Sequence, residues 1–347
     1  MNYENQILGF VGTYTKSTSK GIYSFHLDKD AGVIKDINCV VELSNPTYLT
    51  ISENKQYLYS VIKDGDLGGI ATFSISETGQ LNPLNSTLVE GAPPCHVSIE
   101  SENKLLSANY HKGTVEYYPI MDDGKVQPAT SIVYHEGSGP DPRQEKAHAH
   151  FASFSPDRKF IIAIDLGTDE IYTYKQINDN LIEHQRFTCT PGSGPRHLVF
   201  HPNQPYVYVM TEFSSEVIVL NYNAEEGSFE HIQTISTLPD HFSENNQGSA
   251  IHISRDGKFV YAANRGHDSI AVFKVNDKNF ELTFVEHTST EGNWPRDFSL
   301  DPTEMYLVAS NQNSNNLTLY SRDSDTGKLT LLQKDIEVPE PVCIKFL

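Results

Sequence analysis

Cysteine is scarce in this chain and never paired. Cys39, Cys95, Cys189 and Cys343 are the only four in 347 residues, and they form no Cys-x-x-Cys pair and no zinc-like Cys/His spacing. A disulfide scaffold and a structural zinc module are thereby excluded, and the thiols read as free, buried groups in a reducing compartment. No window approaches the 18 or so apolar residues of a membrane span, and residues 1–6 lack the basic-then-apolar order of a leader, so a cytoplasmic protein is expected. Positive charge is short as well. Against 45 acidic residues stand 26 basic ones, for a net charge of −19, which repels nucleic acid and anionic membranes and removes both as expected partners. No Gly-x-Ser-x-Gly occurs to argue for a serine acyl-enzyme, and no convincing amphipathic helix is found.

What the chain does contain is a β-favouring set, with 18 Tyr and 17 Phe against a single Trp. The clearest stretch is Gly192-Ser193-Gly194-Pro195-Arg196-His197-Leu198-Val199-Phe200-His201-Pro202, followed by an apolar run from Tyr206 to Met210 that ends in Thr211-Glu212. Short apolar runs bounded by Gly, Pro and Asn mark a strand, a turn and a returning strand. Antiparallel pairing would then set Arg196 beside Glu212.

The stretch recurs. Its first strand is matched at Pro46, Pro94, Ala149, Gly248, Pro295 and Pro341, at intervals of 46 to 55 residues, and three further strands fill each period. A period near 50 predicts four-stranded propeller blades. The chain opens on a second strand (residues 7–13) and closes on a first strand (341–347), so one blade must draw on both ends, which removes the exposed sheet edges. The expected fold is therefore all-β, a seven-bladed β-propeller of four-stranded antiparallel blades occupying residues 1–347 as one domain. The two longest intervals carry insertions, 135–147 and 238–247, and loops of that length in a compact repeat point to function. Strand direction sets both on the face that carries Arg196 and Glu212.

Two positions per blade are expected at the mouth of the central funnel. The residues after the anchors are Thr47, Cys95, His150, Arg196, Ser249, Arg296 and Val342; those ending the second strands are Lys63, Tyr110, Leu166, Glu212, Arg265, Gln312 and Tyr14. His150, Arg196 with Glu212, Arg265 and Arg296 come from four consecutive blades. Three arginines around one funnel of an acidic protein suit a small anionic ligand, because guanidinium forks match carboxylate and phosphate oxygens. The competing reading is a neutralised polar plug, with Glu212, Asp165 and Asp297 absorbing the charge. His148 and His150 form a His-x-His pair expected on one side of a strand; no third ligand accompanies them, which favours proton transfer over metal binding. His96, His197 and His252 lie inside first strands and are expected to pack between blades, whereas His111 and His267 fall in top-face loops.

The motifs Ala147-His148-Ala149-His150, Gly194-Pro195-Arg196-His197 and Asn264-Arg265-Gly266-His267-Asp268-Ser269-Ile270 resemble those of the seven-bladed propeller lactonases, a group that includes propeller-type 6-phosphogluconolactonases and the fungal carboxy-muconate lactonising enzyme. The similarity runs from Gly12-Thr13-Tyr14-Thr15 to the last strand. It implies a top-face site of His148 or His150, Arg196, Glu212 and Arg265; Arg296, Lys146, His197 and His267 are expected beside it as substrate-binding residues. It also implies hydrolysis of 6-phosphoglucono-1,5-lactone, a small anionic sugar lactone, without metal or other cofactor. Glu212 or His150 would be the base, Arg196 would polarise the carbonyl, and Arg265, Arg296 and Lys146 would hold the phosphate. Cycloisomerisation of an unsaturated dicarboxylate and a non-catalytic binding scaffold are the alternatives.

Overall fold

A computed structural model describes residues 5–100 and 103–347; the stretch 1–4, part of the segment read above for a leader, lies outside the described residues. Every named element is a β-strand, and the strands form seven antiparallel sheets of four. Blades 1 to 6 each run outward in chain order from inner strands Leu49–Ile51, His96–Glu100, Ala149–Phe154, Pro195–Phe200, Gln247–Ile253 and Pro295–Leu300. Blade 7 takes its inner strand, Pro341–Phe346, from the end of the chain and its other three, Gln6–Thr13, Gly21–Asp28 and Val33–Glu42, from the beginning. The seven inner strands touch one another in cyclic order, and Pro341–Phe346 meets Leu49–Ile51 to shut the ring.

Sequence pattern explains the layering. Middle strands such as Tyr206–Thr211 and Phe259–Arg265 are sandwiched between neighbouring blades and are buried along nearly their whole length. Outer strands such as Leu329–Glu337 mix exposed and buried positions, as one-sided sheets do. The core is accordingly a ring of inter-blade layers. Ile162, Ile164 and Ile171 of blade 3 meet Leu198, Val207 and Val209 of blade 4, and Phe10 and Ile22 of blade 7 meet Leu49, Leu58 and Phe73 of blade 1. Full burial of each such side chain is worth about 1.5–3 kcal/mol. Cys189 and Cys343 sit inside these layers, but the expectation of four buried thiols is corrected at two positions. Cys39 is exposed on an outer strand, and Cys95 is half-buried on the wall of the funnel.

Candidate active site

Inner strands aim side chains at the axis through a repeated irregularity. In blade 4, Pro195 pairs with Thr211 and His197 with Met210, so Arg196 is an extra residue without a partner across the ladder. The same one-residue bulge falls at His150 in blade 3, Arg296 in blade 6 and Val342 in blade 7. A bulge bends the strand and re-aims its side chains. Its effect here is that consecutive residues, Arg196 with His197 and Arg296 with Asp297, both reach the axial cavity. That cavity has a volume of about 510 Å³, within the range of small-molecule sites. The positions expected at the mouth all line it except Ser249, Leu166 and Gln312. Tyr48 and His197 of its lining pack with the rings of His96 and Phe151, contacting centroids lying 4.5–6.0 Å apart.

Arg196, Glu212 and Arg265 form one ion cluster on the wall. A single carboxylate oxygen, Glu212 Oε2, accepts from Arg196 Nε at 3.0 Å and from Arg265 Nη2 at 2.7 Å. The two guanidinium groups also donate to the carbonyls of Ser249 (2.9 Å) and Gly248 (2.7 Å), so both are fixed in place. Burial alone would raise the Glu212 carboxyl, but Arg265, Arg196 and Arg296 outweigh it and hold the group below its ordinary value. Burial pulls the Arg196 and Arg265 guanidinium groups down against the attraction of Glu212, Arg265 to about 9. Arg296 has no carboxylate in ion-pair reach among the described residues and lies 5.5 Å from the centre of the Tyr14 ring. Asp165, considered above as a neutraliser, is committed elsewhere: it binds His135 and the amides of His148, Gly167 and Thr168. The cavity lining thus carries Arg196, Arg265, Arg296, Lys16 and Lys63 against Glu212 and Asp297.

The bulge separates the two histidines that alternation would place on one side. His150 lines the cavity, is 4% exposed, and its Nδ1 has no hydrogen-bond partner among the described residues. Burial, reinforced by Arg196 and Arg296, holds its pKa well below the ordinary imidazole value, so the ring is neutral at pH 7. His148 precedes the strand and stacks on Tyr110 at 4.1 Å, donating from Nδ1 to the Tyr110 carbonyl at 2.8 Å. It does not line the cavity, and neither do Lys146 or His267. Lys146 donates to the His111 carbonyl (2.8 Å), and His267 Nδ1 sits 2.7 Å from Ser269 Oγ, with Phe242 and His287 against its ring. His197 does line the cavity, contrary to the expectation that it packs between blades, because the bulge turns it inward 3.5 Å from Arg196 Nη1. Among the described residues, no group of three or more His, Cys, Asp or Glu side chains is placed to hold a metal ion.

Residues 8–346 match the family described as "Lactonase, 7-bladed beta-propeller". This chain belongs to that family. It is 51% identical to a 6-phosphogluconolactonase of Bacillus subtilis over 98% of both chains. Among solved structures, a protein of Lactobacillus plantarum superposes with a TM-score of 0.95 at 42% identity, covering 99% of each chain. A periplasmic gluconolactonase of Pseudomonas aeruginosa gives 0.93 at 30% identity, again over 99% of each.

In this member of the lactonase family, three supporting residues escaped the sequence reading. Asp169 accepts from the amides of Gly192 and Gly194, at 2.6 and 2.8 Å, and so fixes the loop that delivers Arg196. Asp268 does the same one blade-pair on, accepting from the Trp294 amide at 2.8 Å and the Asn293 side chain at 2.7 Å ahead of Arg296. Both aspartates stand just before a third strand, at one register of the repeat, and that shared register is the signal that could have found them. The third is Trp294. It is held at φ 68°, a conformation that costs a bulky residue about 1–3 kcal/mol, and it lines the cavity with Arg265 5.6 Å from its ring centre. In blade 4 the corresponding residue is Gly194 (φ 60°), where a Cβ would come within 2.5 Å of Phe213.

Proposed function

We propose that this protein hydrolyses a sugar-acid lactone, 6-phosphoglucono-1,5-lactone, to the open-chain acid. The observation that carries the reading is the neutral His150 on the wall of a cavity where Arg196, Arg265 and Arg296 outnumber Glu212. The relatives support the substrate class: one is a 6-phosphogluconolactonase and another a gluconolactonase.

An ester carbonyl yields to an activated water and to stabilisation of the negative charge that develops on its oxygen. His150 accepts the proton of the attacking water. Arg196 stabilises the oxyanion, aided by the charge of Arg296. As the tetrahedral centre collapses, the bond between C1 and the ring oxygen breaks, and the imidazolium returns its proton to that departing oxygen. Between the two candidate bases the geometry favours His150. Glu212 is held as a carboxylate by two arginines on one oxygen, which makes it a weak base but a firm anchor for both guanidinium groups. No step calls for a metal. The cytoplasm remains the expected compartment, where the accessible Cys39 and Cys95 thiols stay reduced.

The test is turnover of the lactone at pH 6.5, above the spontaneous rate, with and without a chelator. Chelator-insensitive hydrolysis that falls by about 10²–10³-fold in Arg196→Ala, with an unchanged circular dichroism spectrum, supports the assignment. Absence of turnover by the unaltered protein removes it.

A further inference from the structure

We propose that Lys16 and Lys63 form a phosphate subsite on the wall of the cavity opposite Glu212, and that they set its preference for a phosphorylated over an unphosphorylated lactone. The inference rests on the lactone-hydrolase reading above. Its basis is the circular order of the blades. In a ring of seven, the point across the axis from blade 4, which carries Arg196 and Glu212, falls between blades 7 and 1. Lys16 follows the blade 7 strand Gln6–Thr13, and Lys63 lies near the end of the blade 1 strand Tyr57–Asp64; both line the cavity.

These two cations differ from the arginines in what they already hold. Arg196 and Arg265 are buried and committed to Glu212 and to backbone carbonyls. Lys16 and Lys63 are exposed, and neither has a carboxylate in ion-pair reach among the described residues; Lys16 Nζ rests 3.9 Å from the centre of the Tyr14 ring. Lys146, the lysine expected to reach the phosphate, is instead tied to the His111 carbonyl. Substrate chemistry asks for the same division. In a six-carbon 1,5-lactone the ester carbonyl and the C6 substituent lie at opposite ends, so a site that grips both needs cations on facing walls. A dianionic phosphate keeps part of its hydration at a rim, and a flexible ammonium meets it as a point charge. The carbonyl, which carries no charge until water attacks, goes to the fixed buried guanidinium groups.

The experiment compares kcat/KM for 6-phosphogluconolactone and for gluconolactone in the unaltered protein, Lys16→Ala, Lys63→Ala, the double variant and Lys63→Arg. The ratio of the two values should fall about 10-fold in each single variant and about 100-fold in the double, mainly through KM, and Lys63→Arg should restore most of its share. Calorimetry of 6-phosphogluconate and gluconate binding should show the same loss of discrimination. A ratio that stays within about twofold in the double variant overturns the subsite while leaving the lactone reading intact. Absence of turnover of either lactone by the unaltered protein overturns both.

Discussion

Two buried polar clusters draw on blade 3, one off the axis and one on the funnel wall, and they behave as opposites. In blade 3, next to the start of the first long insertion, His135 Nδ1 meets Asp165 at 2.7 Å while its Nε2 meets the Tyr174 hydroxyl at 2.7 Å, and the second Asp165 oxygen accepts from three backbone amides. The His135 ring also stacks on Tyr172 at 3.9 Å. The side-chain polar atoms of His135 and Asp165 are all satisfied by the protein, and both side chains are closed to solvent. On the funnel wall, among the described residues, His150 leaves a nitrogen unpartnered and Arg296 has no carboxylate in ion-pair reach, and both line a cavity. The residue types are alike, histidine, carboxylate and hydrogen-bonding partner. Saturation is what separates a staple from a site: a closed network stabilises one packing, whereas unspent donors and acceptors in a cavity can be spent on a ligand.

The largest expected effect sharpens that contrast from the open side. His150→Ala removes the proton acceptor and should lower kcat by about 10²–10⁴-fold, with a loss of stability confined to the packing of its ring on His197 and Tyr110. A variant that retains full activity would break the distinction between the clusters. The closed side should respond the other way. His135→Ala leaves a buried carboxylate oxygen and the Tyr174 hydroxyl without their partner and opens a void beside Tyr172, so about 3 kcal/mol of stability should be lost in chemical denaturation. Its kcat at a temperature where the variant is folded should match the unaltered protein, because His135 does not line the cavity.

Repetition makes most of the architecture legible in the chain itself. The anchors, the seven-fold count and the two-ended blade follow from where Gly, Pro and apolar runs recur, and these govern strands through local sterics and burial. The site was readable as far as blade order could carry it: Arg196, Glu212, Arg265 and Arg296 do reach one cavity. Bulges hid the remainder. His150, expected at the mouth, does line the cavity, but a single extra residue leaves no mark in an apolar pattern, and here it parts His148 from His150, leaving His148 on Tyr110, and turns His197 from the blade interface to the axis. Side-chain reach was equally hidden. Lys146 is as long as Lys16, and only the loop path decides that one meets a carbonyl and the other the cavity.

The smallest expected effect probes how finely the open cluster is tuned. His150 is held neutral first by burial and then by the positive charge of Arg196 and Arg296. A base must be unprotonated to act, so kcat/KM is flat at neutral pH and falls as the pH drops through the depressed imidazole pKa, giving an acid limb below about 6.5. Arg296→Gln removes one of the repelling charges, raises that pKa, and should move the limb to higher pH. The same substitution would also loosen the hold on Glu212, whose carboxyl Arg296 helps to keep low. The two bases are therefore separated by the residual activity of His150→Asn: the acid limb disappears if the imidazole is the base, and persists at lower pH if the carboxylate is.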